Sequence, residues 1–333
     1  MPRIAAAALA AALLVPLLAA CGGDDDALTV YSGRSEGLVA PLLEQFSEET
    51  GIEVAVRYGD SAELAATIAE EGDGSPADVF FAQDAGALGS VAGEGLLAEL
   101  DPELLDAVSP RFRDPEGRWV GLSGRARVVA YNTDALAEAD LPDSIWEYAE
   151  EEWSGRVGFA PTNASFQAMV SAMRLTEGDE RTGEWLEALA ANEPRLYENN
   201  LMSLEAVASG EVDVALVNHY YLYEVLAEQP DAPVANHFLE SGDPGALVNV
   251  AGAGILAGTD RAADAERLLA YLLEEGQPFF AQETAEYPLV AGVQPREELP
   301  PLASVRGPDI ELGELGGQLA STLELLNDVG LTP

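Results

Sequence analysis

The stretch Asn218-His219-Tyr220-Tyr221-Leu222-Tyr223 follows directly on the apolar run Val212-Asp213-Val214-Ala215-Leu216-Val217. A buried strand that ends in two adjacent tyrosines puts phenol oxygens at the rim of a domain, where ligands bind in α/β folds. If a helix starts there, neighbouring residues point about 100° apart, so Tyr220 and Tyr221 cannot share one core-facing stripe. At least one hydroxyl then faces a cleft or solvent. A phenolate oxygen is a hard donor, suited to a hard, highly charged cation such as Fe(III). The fragment alone leaves two readings open, a metal site or an aromatic rim packed on a neighbouring loop.

Other polar groups sit where strands are expected to end. Pro161-Thr162-Asn163-Ala164-Ser165 lies between a strand and a helix. Free backbone N–H groups there, with the Asn and Ser side chains, make a natural anion pocket; an ordinary N-cap would use the same residues. Glu198-Asn199-Asn200 ends a short extended stretch, and Asn218 precedes the tyrosines. If these strand ends converge, Asn163, Ala164, Ser165, Asn200 and Asn218 form one anion-binding set. Earlier in the chain, Ser32-Gly33-Arg34-Ser35 and Gln83-Asp84 each follow a strand, and Gly33 and Ser35 are expected to line a cleft. Arg125 is placed either to reach an anion in that cleft or to form a structural ion pair. His219 and His237 are the only histidines and are expected on the surface or in loops. No Ser/His/Asp spacing, Gly-Lys-Ser phosphate loop or His-Glu-x-x-His helix is present, so an enzyme reading lacks its nucleophile or metal motif.

The elements that must position these groups alternate between β and α. Strands are expected at 28–31, 52–56 and 77–81, with a helix holding Leu38, Leu42, Leu43 and Phe46 between the first two. Asp60-Ser61-Ala62-Glu63 reads as a capped helix start, and Asp84 as the cap of the next helix. An extended run at 125–132 introduces a second series. It comprises a strand at 157–160, helices near 165–174, 180–190 and 204–207, and the tyrosine strand. A Gly-punctuated strand at 249–256 and helices at 261–274 and 310–327 finish the chain. Strand series interrupted by extended Gly-containing segments imply two α/β lobes joined by strand crossovers, with a cleft between them. The lobes are expected at 28–127 with 252–302, and at 128–251 with 303–333.

The N-terminus reads as a targeting segment rather than as fold. Met1-Pro2-Arg3 is a short positive region, and residues 4–20 are uncharged and rich in Ala and Leu. Leu18-Ala19-Ala20-Cys21 resembles the lipobox of bacterial lipoproteins, which makes Cys21 the lipid-attachment site and residues 1–20 a cleaved signal peptide. Residues 21–27, with Gly22-Gly23-Asp24-Asp25-Asp26, form an acidic tether. Cys21 is the only cysteine, so lipidation leaves no thiol for a disulfide, a metal or a nucleophile. The formal charge is −43, and all 16 basic residues are arginine. Such acidity repels nucleic acid and anionic lipid headgroups, so contact with the membrane is expected through the lipid alone. Hydrophobic content of 48% supports globular packing.

The mature chain resembles the bacterial ferric-ion-binding proteins of ABC-type iron importers, within the type II periplasmic binding proteins. The likeness rests on Thr29-Val30-Tyr31-Ser32-Gly33, Ser75-Pro76-Ala77-Asp78-Val79-Phe80, Leu122-Ser123-Gly124-Arg125-Ala126-Arg127-Val128-Val129, Asn218-His219-Tyr220-Tyr221, Asp243-Pro244-Gly245-Ala246-Leu247-Val248 and Glu286-Tyr287-Pro288-Leu289. The resemblance implies that Tyr220 and Tyr221 bind Fe(III) as phenolates. It also implies a synergistic phosphate or carbonate on Asn163, Ala164, Ser165, Asn200 and Asn218. Family members that use phosphate carry a His and a Glu in the first lobe, where this chain has Ser35 and Gln83. Other members place a third Tyr near Phe166. Gln83, or Asp84 by a one-residue shift, is left as the candidate first-lobe metal ligand.

The implied function is a monomeric, lipid-anchored receptor on the outer face of the cytoplasmic membrane that is not an enzyme. It captures Fe(III) and hands it to an ABC permease. Its lobes would rotate about crossovers near 124–129 and 250–254, with a weaker bias toward closure than in a receptor with full first-lobe ligands. Two rivals stand beside this reading. One is a receptor of the same fold for an anion or small organic solute, and the other a surface enzyme or adhesive lipoprotein.

Overall fold

The computed structural model describes residues 27–332. The expected signal segment, Cys21 and nearly all of the acidic tether lie outside the described residues. The first series runs β1 (Leu28–Ser32), α1 (Glu36–Thr50), β2 (Val54–Tyr58), α2 (Ser61–Glu71), β3 (Val79–Ala82), α3 (Ala85–Gly93) and α4 (Pro102–Asp106), and leads into β4 (Val120–Asn132). α1 buries Val39, Leu42, Leu43 and Phe46 at helical spacing and stops at Gly51, whose φ of 73° favours a residue without a Cβ. Asp60 caps α2 by accepting from the Ala62 and Glu63 amides at 2.8 and 3.3 Å. Asp84 caps α3 by accepting from the Ala87 amide at 2.9 Å. β2 begins two residues later than the alternation predicts, because Ile52 is buried in the core without joining the ladder.

The second series is β5 (Val157–Phe159), α5 (Ala164–Glu177), α6 (Asp179–Ala191), β6 (Arg195–Leu196), α7 (Asn200–Ser209), β7 (Val214–Asn218), α8 (Tyr221–Glu228) and β8 (Val234–His237). The chain then returns through β9 (Val248–Ile255), α9 (Ala262–Glu274), α10 (Gly276–Gln282), β10 (Tyr287–Pro288) and α11 (Leu315–Asp328). α7 starts four residues before the expected 204, because Asn199 accepts from the Met202 amide at 2.9 Å and caps it there. The two-residue strands β6 and β10 are too short to carry a period.

Two half-sheets meet on β4, and the strand order is β2-β1-β3-β9-β4-β7-β5-β6. Residues 120–126 of β4 pair antiparallel with β9, and residues 127–131 pair antiparallel with β7. All thirteen residues of β4 are buried, as a strand covered on both faces requires. Each half-sheet packs its own core. Phe46, Phe80, Trp119 and Leu269 belong to the first, and Phe159, Phe166, Trp185 and Leu216 to the second. A smaller cluster of Val207, Val217 and Val225 lies under α7 and α8.

Two boundaries differ from the expected division. β9 pairs over its whole length with β4 and β3 in the first half-sheet, so residues 248–251 belong there rather than with the second lobe. The expected crossover at 250–254 is therefore continuous sheet, and the chain changes sides just before Val248, where the Arg127 amide donates to the Leu247 carbonyl at 2.9 Å. The tail at 303–333 does not belong to the second lobe alone either. Leu312 and Leu315 pack in the first core, while Leu326 and Leu331 pack in the second. α11 thus bridges the lobes.

Candidate metal and anion site

β7 delivers the tyrosines to the cleft. Its last residue is Asn218, Tyr220 is already in helical conformation, and α8 begins at Tyr221. The two phenol rings lie 4.3 Å apart, centroid to centroid, with their planes at 31°. Tyr220 is 4% exposed and Tyr221 half-buried, yet both line one cavity of about 610 Å³ together with Ser35, Gln83, Tyr223 and Glu224. Burial pushes the Tyr220 phenol well above its usual range, and Tyr221 adds to the push while the charge of Arg125 opposes it. Without an ion the Tyr220 phenol is neutral, so a metal that takes it as phenolate must displace its proton.

The residue before the pair holds it in place. His219 lies in the turn between β7 and α8, the loop position expected of it, but it is fully buried. Its Nδ1 accepts from the Ala126 amide at 3.1 Å, and its Nε2 lies 2.9 Å from the Ala285 carbonyl. Those partners require a neutral ring with its proton on Nε2. Burial agrees, lowering its pKa to about 4. The ring also stacks at 4.9 Å on Tyr287. His219 therefore ties the tyrosine turn to β4 and to the segment before β10. His237 is buried too, with Nε2 3.0 Å from the Pro142 carbonyl.

Asn163, Ser165, Asn200 and Asn218 come together around Arg127, a residue with no role expected from the sequence. Asn163 caps α5: its Oδ1 accepts from the Ser165 amide at 3.0 Å and from Ser165 Oγ at 2.7 Å. Asn200 Nδ2 donates to the same Oδ1 at 3.1 Å and to Ser165 Oγ at 3.0 Å. Arg127 completes the cluster, its Nη1 donating to Ser165 Oγ at 3.1 Å and to Asn218 Oδ1 at 3.4 Å. Ala164, the first residue of α5, presents a backbone N–H that no turn of its own helix can satisfy. Arg127 is buried, its Nε has no partner, and no carboxylate pairs with it among the described residues. Burial lowers its pKa to about 9, with the neighbouring tyrosines pulling the other way. A buried cation without a counter-charge is costly, and an anion at this point would offset that cost. One signal pointed to Arg127: residues two apart on a strand share a face, so Arg125-Ala126-Arg127 sends both guanidinium groups to one side.

The first-lobe wall is differently built. Ser35 is exposed in the tyrosine cavity, and Gln83 lies beside it. In the amide orientation that satisfies its neighbours, Gln83 donates to the Gly33 carbonyl at 3.1 Å and accepts from Arg125 Nη1 at 3.3 Å. Gln83 also borders a second cavity of about 600 Å³, lined by Gly33, Asp84 and Asn163. Asp84 faces that second cavity and spends Oδ1 on capping α3, so it does not join the tyrosines. Arg34 Nη2 grips both oxygens of buried Glu286 at 2.8 and 3.0 Å. Burial alone would raise the Glu286 carboxyl, but the charges of Arg34 and Arg125 outweigh it and hold the group below its usual range. Among the described residues, no group of three or more His, Cys, Asp or Glu side chains is arranged to hold a metal ion. The phenol pair and the Asn163 loop line two cavities that meet at Gln83, and the charge of Arg127 is felt by both tyrosines.

Residues 74–307 match the family model for bacterial extracellular solute-binding proteins. The Fe(3+)-binding periplasmic protein of Serratia marcescens is 32% identical over 311 residues, covering 92% of this chain and 91% of that protein. The major ferric iron-binding protein of Neisseria meningitidis serogroup B is 33% identical over 309 residues, covering 91% and 93%. Among solved structures, iron-bound HitA from Pseudomonas aeruginosa superposes with a TM-score of 0.86 at 38% identity, over 91% of this chain and 99% of that one. The Trichodesmium protein FutA, solved with iron and citrate ligands, gives 0.81 at 28% identity, over 92% and 100%. The chain therefore belongs to the bacterial extracellular solute-binding proteins, has the type II periplasmic binding protein fold, and counts ferric-iron-binding periplasmic proteins among its relatives.

Proposed function

We propose that this protein captures Fe(III) outside the cytoplasmic membrane and passes it to the permease of an ABC importer. The observation that carries the proposal is the adjacent phenol pair, rings 4.3 Å apart, beside a buried arginine with no carboxylate partner. Tyr220 and Tyr221 bind the ion as phenolates, the hard anionic oxygens that a trivalent cation favours. A synergistic phosphate or carbonate sits between the ion and Arg127, on the Ala164 amide, Ser165, Asn163, Asn200 and Asn218. Its charge answers both the metal and the unpaired guanidinium. Arg125 and Gln83 close the first-lobe side. The protein works as a monomer, anchored through lipid on Cys21.

One neighbour's iron and citrate, together with the open volume on both sides of Gln83, favours a second reading in which the ion arrives as a hydroxycarboxylate chelate. The deciding experiment adds Fe(III) to the apo protein with phosphate, bicarbonate or citrate as the only oxyanion. A visible phenolate-to-iron absorption with one iron per chain is expected. Colour with citrate alone selects the chelate, and no colour with any oxyanion defeats the ferric reading. Thermal stabilisation by an oxyanion without iron would instead support an anion receptor.

A further inference from the structure

Two carboxylates line the tyrosine cavity, Glu224 and Glu283, and Glu224 is the one carried on the helix that the tyrosines begin. Glu224 stands four residues after Tyr220 and three after Tyr221, the spacing that puts side chains on one helical face. Helical side chains lean toward the N-terminus, so the Glu224 carboxylate covers the turn that carries the tyrosines. Accordingly, Tyr220, Tyr221 and Glu224 line the same cavity.

Among the described residues, no basic side chain forms an ion pair with Glu224. Arg296 is the one cation lining that cavity among the described residues, and it is engaged elsewhere. Its guanidinium lies 5.1 Å from the Tyr223 ring centroid, and its Nε donates to the Gln282 carbonyl at 3.1 Å. Glu224 is open to solvent on one side, yet its partial burial, with the like charges of Glu286 and Glu228, raises its carboxyl above the usual range. Among the described residues, an acid thus lines the cavity of the two phenols with negative neighbours and no ion-pair partner. A metal ion in the cavity would supply that cation.

We propose that Glu224 is a third protein ligand to the ferric ion, supplied by the same helix as the tyrosine pair and taking the anionic place that Gln83 leaves neutral. This rests on the ferric reading above. Two phenolates and one carboxylate cancel the three charges of Fe(III), and the synergistic anion is then answered by Arg127.

The test compares Glu224→Gln with Glu228→Gln, an identical charge change one turn further along the exposed face. Iron affinity is measured by competition with a chelator, and the charge-transfer band is recorded for each protein. Glu224→Gln should weaken binding by about 10- to 100-fold. It should also move the band to longer wavelength, because iron that loses an anionic donor accepts phenolate electrons more readily. Glu228→Gln should stay within about twofold of the parent, because Glu228 does not line the tyrosine cavity and its charge is screened at that distance. Equal losses in both variants would reduce the effect to the general field and overturn the proposal. So would an unshifted band with unchanged affinity in Glu224→Gln. A parent protein that never colours would defeat the ferric reading itself, and this inference with it.

Discussion

The two walls of the cleft are built on opposite principles. The second-lobe wall concentrates chemistry on adjacent strand ends: two phenols, a buried arginine without a counter-ion, and a loop of Asn and Ser donors already bonded to one another. The first-lobe wall commits its buried acids internally, although Arg125 is buried there without an ion-pair partner among the described residues. Arg34 holds Glu286, Asp84 caps α3, and the residues left facing the tyrosines are Ser35 and Gln83, with Glu283 exposed beside them. Preorganised donors with unmet charge are what a bound ion and its anion can use, whereas a satisfied pair gains nothing from a ligand. The difference teaches that binding and closure are separable here. The second lobe would capture the ion, and the first would add mostly neutral contacts, which limits how strongly the ion can bias the lobes toward closure.

The sharpest way to break this asymmetry is to remove the phenols. Tyr220→Phe with Tyr221→Phe should lower Fe(III) affinity by more than about 1,000-fold and erase the visible band, since both anionic oxygens are lost. Next in size is pH. Each phenol that ligates as phenolate must give up its proton, so affinity falls as pH falls. Two protons lost per ion give up to about 100-fold per pH unit in chelator competition. Burial places Tyr220 firmly on the protonated side of this equilibrium near neutrality. Arg127→Gln keeps a donor for Ser165 and removes the charge. It should weaken binding by about 10- to 100-fold and flatten the dependence on added phosphate or bicarbonate. The smallest effect is a gain. Gln83→Glu supplies the first lobe with an anionic donor and should tighten binding by about tenfold, worth about 1.4 kcal/mol. Scattering on this variant should show a larger iron-induced compaction than in the parent.

Much of this was legible in the sequence where a local pattern met a chemical one. The tyrosine pair stood out because a run of buried apolar residues stopped at two phenols. Asn163 and Ser165 were readable because capping chemistry and anion chemistry use the same atoms. Asn200 and Asn218 lie 37 residues and 55 residues beyond Asn163, so their convergence depends on strand order, which one sequence does not state. Arg127 escaped for a related reason. On a strand buried over its whole length, nothing local separates an arginine destined for an ion pair from one left unpaired. His219 looked peripheral because its sequence neighbours are polar or aromatic, while its partners, Ala126 and Ala285, come from the other lobe's elements. α11 divided its packing between the cores although its sequence has one continuous helical period. Local chemistry was visible, and long-range pairing was not.

The claim that the second lobe carries the ion is tested most directly by one competition titration on two double variants. The account predicts that Tyr220→Phe with Tyr221→Phe abolishes Fe(III) binding, while Ser35→Ala with Gln83→Ala leaves affinity within about fivefold of the parent, a change near 1 kcal/mol. A first-lobe double variant that loses iron as completely as the tyrosine variant would contradict it.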